Sequence, residues 1–114
     1  MKNTRVVKAI LKKIVEYGAK IEKYTGETTY DDYSKNEMLR DSVSFCIIQI
    51  GELVNRLDAD FLDRHSDIPY YQIRGMRNRI VHEYHKIDHK ITWDAIQEYI
   101  PELVKNVEHI LKQI

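Results

Sequence analysis

A chain of 114 residues, with eighteen Lys and Arg against eighteen Asp and Glu, is long enough for one hydrophobic core and too short for two. Its 43% hydrophobic and 32% charged residues exclude a disordered chain, and zero net charge excludes a uniformly basic coat for nucleic acid. Four Gly and two Pro leave few of the turns that a many-stranded sheet needs, so the composition favours helices in a single domain over residues 1–114. Cys46 is the single cysteine, which rules out an internal disulfide framework or a thiolate zinc site within one chain. The segment from Met1 to Lys8 has no continuous apolar core, and no run of about eighteen apolar residues occurs, so an unexported cytoplasmic protein is expected.

Charge is uneven along the chain. Residues 1–23 hold seven basic and two acidic side chains, residues 27–73 four and ten, and residues 74–90 five and two. Two basic segments therefore flank an acidic middle; local positive potential can attract a polyanion even in a neutral chain, and the other reading, favoured for residues 1–23, is a solvated helix face.

The first helix is predicted from Val7, Ile10, Leu11, Ile14, Tyr17, Ile21 and Tyr24, spaced in threes and fours, and should end near Gly26. Thr28, Thr29 and Asp31 then supply capping groups for one long second helix, whose apolar face reads Leu39, Val43, Cys46, Ile47, Ile50, Leu53, Val54 and Leu57. Phe45 and Ile48 fall off that stripe as a second apolar patch, so this helix either lies between two neighbours or, the reading favoured here, contributes to a subunit interface. Residues 58–69 read as an acidic loop ending at Pro69, which suits the first turn of a third helix through Ile73, Met76, Ile80 and Val81, all expected to be buried. A last helix, capped by Thr92, carries Trp93, Ile96, Ile100, Leu103, Val104, Val107, Ile110, Leu111 and Ile114, with Pro101 as a bend point. Four or five helices with short connections predict an antiparallel bundle.

Polar chemistry is densest from Arg74 to His89. Three readings compete there. His82, His85 and His89 stand at i, i+3 and i+7, so a continuous helix would put them on one face as metal ligands. Alternatively, the cations simply complement a helix C-terminus. The third reading is RNA cleavage without a metal, with His82 moving a proton and the Arg77 fork stabilising the phosphorane charge. Asn78, four residues before His82, is spaced to orient its imidazole. Five residues along an ideal helix separate Arg77 and His82 by about 140° and about 7.5 Å. Either the helix unwinds near His82 or two copies meet across a twofold axis.

Arg77-Asn-Arg-Ile-Val-His82-Glu-Tyr84 is an R-x4-H-x-Y sequence that resembles the signature of the HEPN superfamily, in particular the HepT toxins of HepT–MntA toxin–antitoxin systems. Gln49-Ile-Gly-Glu52, Ile73-Arg-Gly-Met-Arg-Asn78, and Ile87-Asp88 followed by Trp93 extend the resemblance over most of the chain. It implies an all-α HEPN bundle that homodimerises and cleaves RNA without metal or other cofactor, with Arg77, Asn78 and His82 as catalytic residues at the dimer cleft. It also implies a minimal nucleotidyltransferase antitoxin, similar to MntA, that attaches AMP to Tyr84. Charge alone adds Arg74 and Arg79 as RNA-phosphate contacts, with pairing to acidic neighbours such as Glu83 as the other reading. Glu52 either lines the cleft or bridges the dimer. The alternative function is a non-catalytic helical dimer that partners a nucleotidyltransferase.

Overall fold

The computed structural model describes residues 3–114; Met1 and Lys2, where the reading of an unexported N-terminus begins, lie outside the described residues. Among the described residues there are six α-helices and no strand: α1 (Thr4–Thr25), α2 (Tyr30–Lys35), α3 (Glu37–Asn55), α4 (Ala59–Arg64), α5 (Tyr70–Glu83) and α6 (His89–Gln113). The four long helices form the all-α bundle that the sequence predicts. α1 lies between α3 and α6, and α5 packs on the far side of α3. The molecule measures 43 × 28 × 19 Å, and one apolar cluster built from Ile14, Ile21, Ile47, Ile50, Ile73, Ile96 and their neighbours runs through it.

Local chemistry explains where each helix begins. The Asn3 side chain accepts from the Val6 amide and opens α1, while Thr29 accepts from the Asp32 amide and opens α2. The predicted single second helix is two. Asn36, in an extended conformation, closes α2 with its own N–H on the Tyr33 carbonyl, and its side chain accepts from the Leu39 amide to start α3. Tyr33 is thereby turned into the core beside Trp93, with ring centroids 5.0 Å apart. The predicted acidic loop contains α4. Asp58 accepts from the Phe61 amide as its cap, and Phe61 and Leu62 bury their side chains beneath it. Asn106 Nδ2 on α6 donates to the Asp67 carbonyl and ties down the connection that follows.

α6 starts earlier than predicted. Its cap is Asp88, which accepts from the amides of Lys90 and Ile91, whereas Thr92 is buried and turns its hydroxyl back to the Asp88 carbonyl. Pro101 lies on the exposed side of α6, and the helix runs through it. Gly18 of α1 faces Val104 of α6 so closely that any added Cβ would collide with the valine methyl, which sets the spacing of these two helices. Three predicted core positions, Tyr24, Val81 and Ile114, are instead exposed. No helix among the described residues is long and apolar enough to cross a membrane.

Candidate active site

α5 is a two-faced helix. Ile73, Met76 and Ile80 anchor it to the core. At 100° per residue, Arg77 lies on the edge toward α3, Asn78 and His82 point away from the core, and Arg79 and Glu83 lie on the edge toward α6. Val81, on the outer side next to His82, is 44% exposed because it falls outside the Ile73–Met76–Ile80 stripe.

Arg77 is held from three directions. Gly51 on α3 sits directly beneath its stem, where a Cβ would come within 2.6 Å of Arg77 Cβ. The guanidinium is then carried to the next residue of α3: Arg77 Nε donates to Glu52 Oε1 at 2.7 Å, and Nη2 makes an ion pair with the same oxygen. On the other side Nη1 donates to Asn78 Oδ1 at 3.0 Å. Glu52 Oε2 has no partner among the described residues. The Arg77 side chain is 23% exposed and that of Glu52 49%, so both reach solvent at one rim. Three of five guanidinium protons are engaged, which fixes the plane of the fork and leaves the rest for an incoming anion.

One expectation is corrected here. Asn78 accepts from the Arg77 guanidinium beside it and makes no hydrogen bond to His82 among the described residues. Glu52 pairs through Oε1 with Arg77 of its own chain, where the close approach at Gly51 brings α3 and α5 together.

His82 is exposed in the last turn of α5 and makes no hydrogen bond among the described residues. The helix is regular from Arg77 to His82, so it does not unwind to bring the two together. It breaks only at Glu83, whose φ of −132° and ψ of 27° lead into a 3-10 turn over Tyr84–Lys86. The continuous helix needed to align His82, His85 and His89 is therefore absent. His85 lies in the turn and His89 opens α6, and among the described residues no group of three His, Cys, Asp or Glu can hold a metal ion. Tyr84 is 40% exposed with its ring edge-on to His85, centroids 5.6 Å apart.

Of the two weaker phosphate candidates, Arg74 donates from Nε to Asn55 Oδ1 at 2.8 Å and lies over the Tyr70 ring, on the same side of α5 as Arg77. Arg79 lies on the opposite side, beside a cavity of about 180 Å³ shared with Glu83, Lys86 and Ile91. Neither arginine forms an ion pair with Glu83 among the described residues. Gly51 and Asn55 were not singled out in sequence; the only signal was the Gln49–Glu52 run one helix away from the motif.

Fold and site together define a small all-α protein with a partly exposed guanidinium, preset by a carboxylate and an amide, on the same helix as an exposed histidine: a surface suited to a phosphodiester. The profile of the HepT-like ribonuclease family (Ribonuclease HepT-like) matches residues 14–110, and the chain belongs to that family. It is 32% identical to a Methanocaldococcus jannaschii protein provisionally named an RNase, over 96% of this chain and 91% of the relative. It is 36% identical to a protein of Caldanaerobacter subterraneus subsp. tengcongensis with the same provisional name, over 75% and 76%. A Thermococcus cleftensis protein named probable ribonuclease HepT is 29% identical over 92% and 96%. No solved structure gives a significant match.

Proposed function

We propose that this chain is a metal-independent endoribonuclease, the toxin of a toxin–antitoxin pair, active as a homodimer and neutralised by adenylylation of Tyr84 by a cognate MntA-like nucleotidyltransferase. The observation that carries the reading is the preset Arg77 fork in the R-x4-H-x-Y motif of a chain from a ribonuclease family. Arg77 binds the scissile phosphate and stabilises the charge that grows on its oxygens, because its donors are already aimed and need no reorganisation. His82 transfers a proton. Attack by the 2′-hydroxyl in line with the leaving 5′-oxygen yields a 2′,3′-cyclic phosphate and a 5′-hydroxyl.

A second copy supplies what one helix does not. With Arg77 and His82 about 140° apart on a regular helix, a twofold cleft pairs Arg77 of one copy with His82 of the other. An adenylate on Tyr84, two residues beyond His82, places bulk and negative charge where the RNA phosphate would lie.

The test is incubation of partner-free protein, shown by intact mass to be unmodified, with total RNA in EDTA. Wild type cleaves and leaves cyclic phosphate ends; His82→Ala and Arg77→Ala do not. Mixing the two inactive variants so that subunits exchange restores roughly a quarter of the wild-type rate, since half the dimers are mixed and each holds one intact pair. Intact RNA with folded, unmodified wild-type dimer moves the reading to the non-catalytic module, and 3′-hydroxyl ends refute the transesterification.

A further inference from the structure

Cleavage by an internal 2′-hydroxyl moves two protons, one off the nucleophile and one onto the leaving 5′-oxygen, and His82 supplies only one of these transfers. We infer that Glu52 is the second proton-transfer residue, the general base for the 2′-hydroxyl, an inference that rests on the ribonuclease reading above.

Three observations lead to Glu52. Among the described residues it is the one titratable side chain in contact with the Arg77 guanidinium. Its position is fixed, because Oε1 takes both Nε and Nη2 of Arg77. Oε2 is left without a partner among the described residues on a side chain 49% exposed, so an RNA bound to Arg77 brings a ribose within its reach. In the attacking geometry the 2′-hydroxyl and a non-bridging phosphate oxygen are neighbours, and a carboxylate bonded to the phosphate-binding arginine stands beside the nucleophile. Glu83, also near the motif, lies on the α6 edge of α5, away from Arg77.

The step balances. The 2′-hydroxyl proton passes to Glu52 Oε2 as the O2′–P bond forms. The P–O5′ bond breaks, and a protonated His82 of the partner copy gives its proton to O5′. Glu52 ends neutral and protonated and His82 ends neutral and deprotonated; exchange with water resets both.

The test uses full-length dimer and one RNA oligonucleotide in two forms, natural and with sulfur replacing the 5′-bridging oxygen at the linkage that the wild type cuts. A thiolate leaves without a proton, so the modified linkage needs the base but not the acid. Glu52→Gln keeps an oxygen for Arg77 to donate to and removes the proton acceptor. On natural RNA, Glu52→Gln and His82→Ala each lose about 100-fold or more in kcat. On the sulfur linkage, His82→Ala returns to within about fivefold of wild type and Glu52→Gln remains about 100-fold down. Recovery of Glu52→Gln on the sulfur linkage, or a loss under about fivefold on natural RNA, overturns the assignment. Wild type that leaves RNA intact overturns the ribonuclease reading itself. Active wild type alongside equally active Glu52→Gln overturns only the role of Glu52. Thermal melting and sedimentation of Glu52→Gln, both unchanged, separate lost chemistry from lost fold.

Discussion

Tyr33 is 1% exposed against Trp93, and burial pushes its phenol from 10.0 up to about 12, with the Arg40 charge opposing the shift. The folded state therefore favours the neutral phenol. This contribution is fully present below pH 10 and is lost as pH rises through 12, about 2 to 3 kcal/mol across the window. Urea titrations from pH 9 to 12 will show a steeper fall for wild type than for Tyr33→Phe. Cys46 is 3% exposed, and burial likewise pushes its thiol up, which keeps it out of the chemistry. Residue identities in the candidate site were legible from the motif spacing, but their partners were not. Asn78 is four residues from His82 in sequence, yet its amide serves the adjacent Arg77; the choice is decided by where the guanidinium is pulled, and the pull comes from another helix.

Helix by helix, the apolar period located α1, α5 and α6, because burial on one face dominates there. It missed the break at Asn36 and the short helix α4, where one polar side chain bonding a backbone amide three residues on decides the conformation. The same logic moved the cap of α6 from Thr92 to Asp88. Contact between elements sets the sign of two glycine substitutions. Gly51→Ala drives a methyl into Arg77 Cβ and forces α3 and α5 apart, which costs about 1–3 kcal/mol despite the gain in helix propensity. Gly75→Ala, on α5, meets nothing within 4 Å and gains about 0.5–1 kcal/mol. Urea denaturation of the two variants will give shifts of opposite sign, and Gly51→Ala will also lose RNA cleavage.

For the molecule as a whole, Phe45 offers the test of assembly. Its ring is 55% exposed and packs edge-on against Tyr17, 6.3 Å between centroids, while Ile48 one turn on is half-buried against the core. Phe45→Glu leaves the helical content intact and weakens the proposed dimer by about tenfold, or about 1.4 kcal/mol, in sedimentation equilibrium; unchanged affinity places the subunit contact elsewhere. The packing of α1 between α3 and α6 also has a temporal meaning. At about 5–20 residues per second of synthesis, the segment that covers the second side of α1 is made on the order of 3–18 s after α1 itself. Through that interval Gly18 faces water where Val104 will later sit, so a nascent chain carries a half-covered helix. The helices made before α6 can pair with one another, α1 with α3 and α3 with α5, but the second side of α1 stays uncovered until the last helix is made.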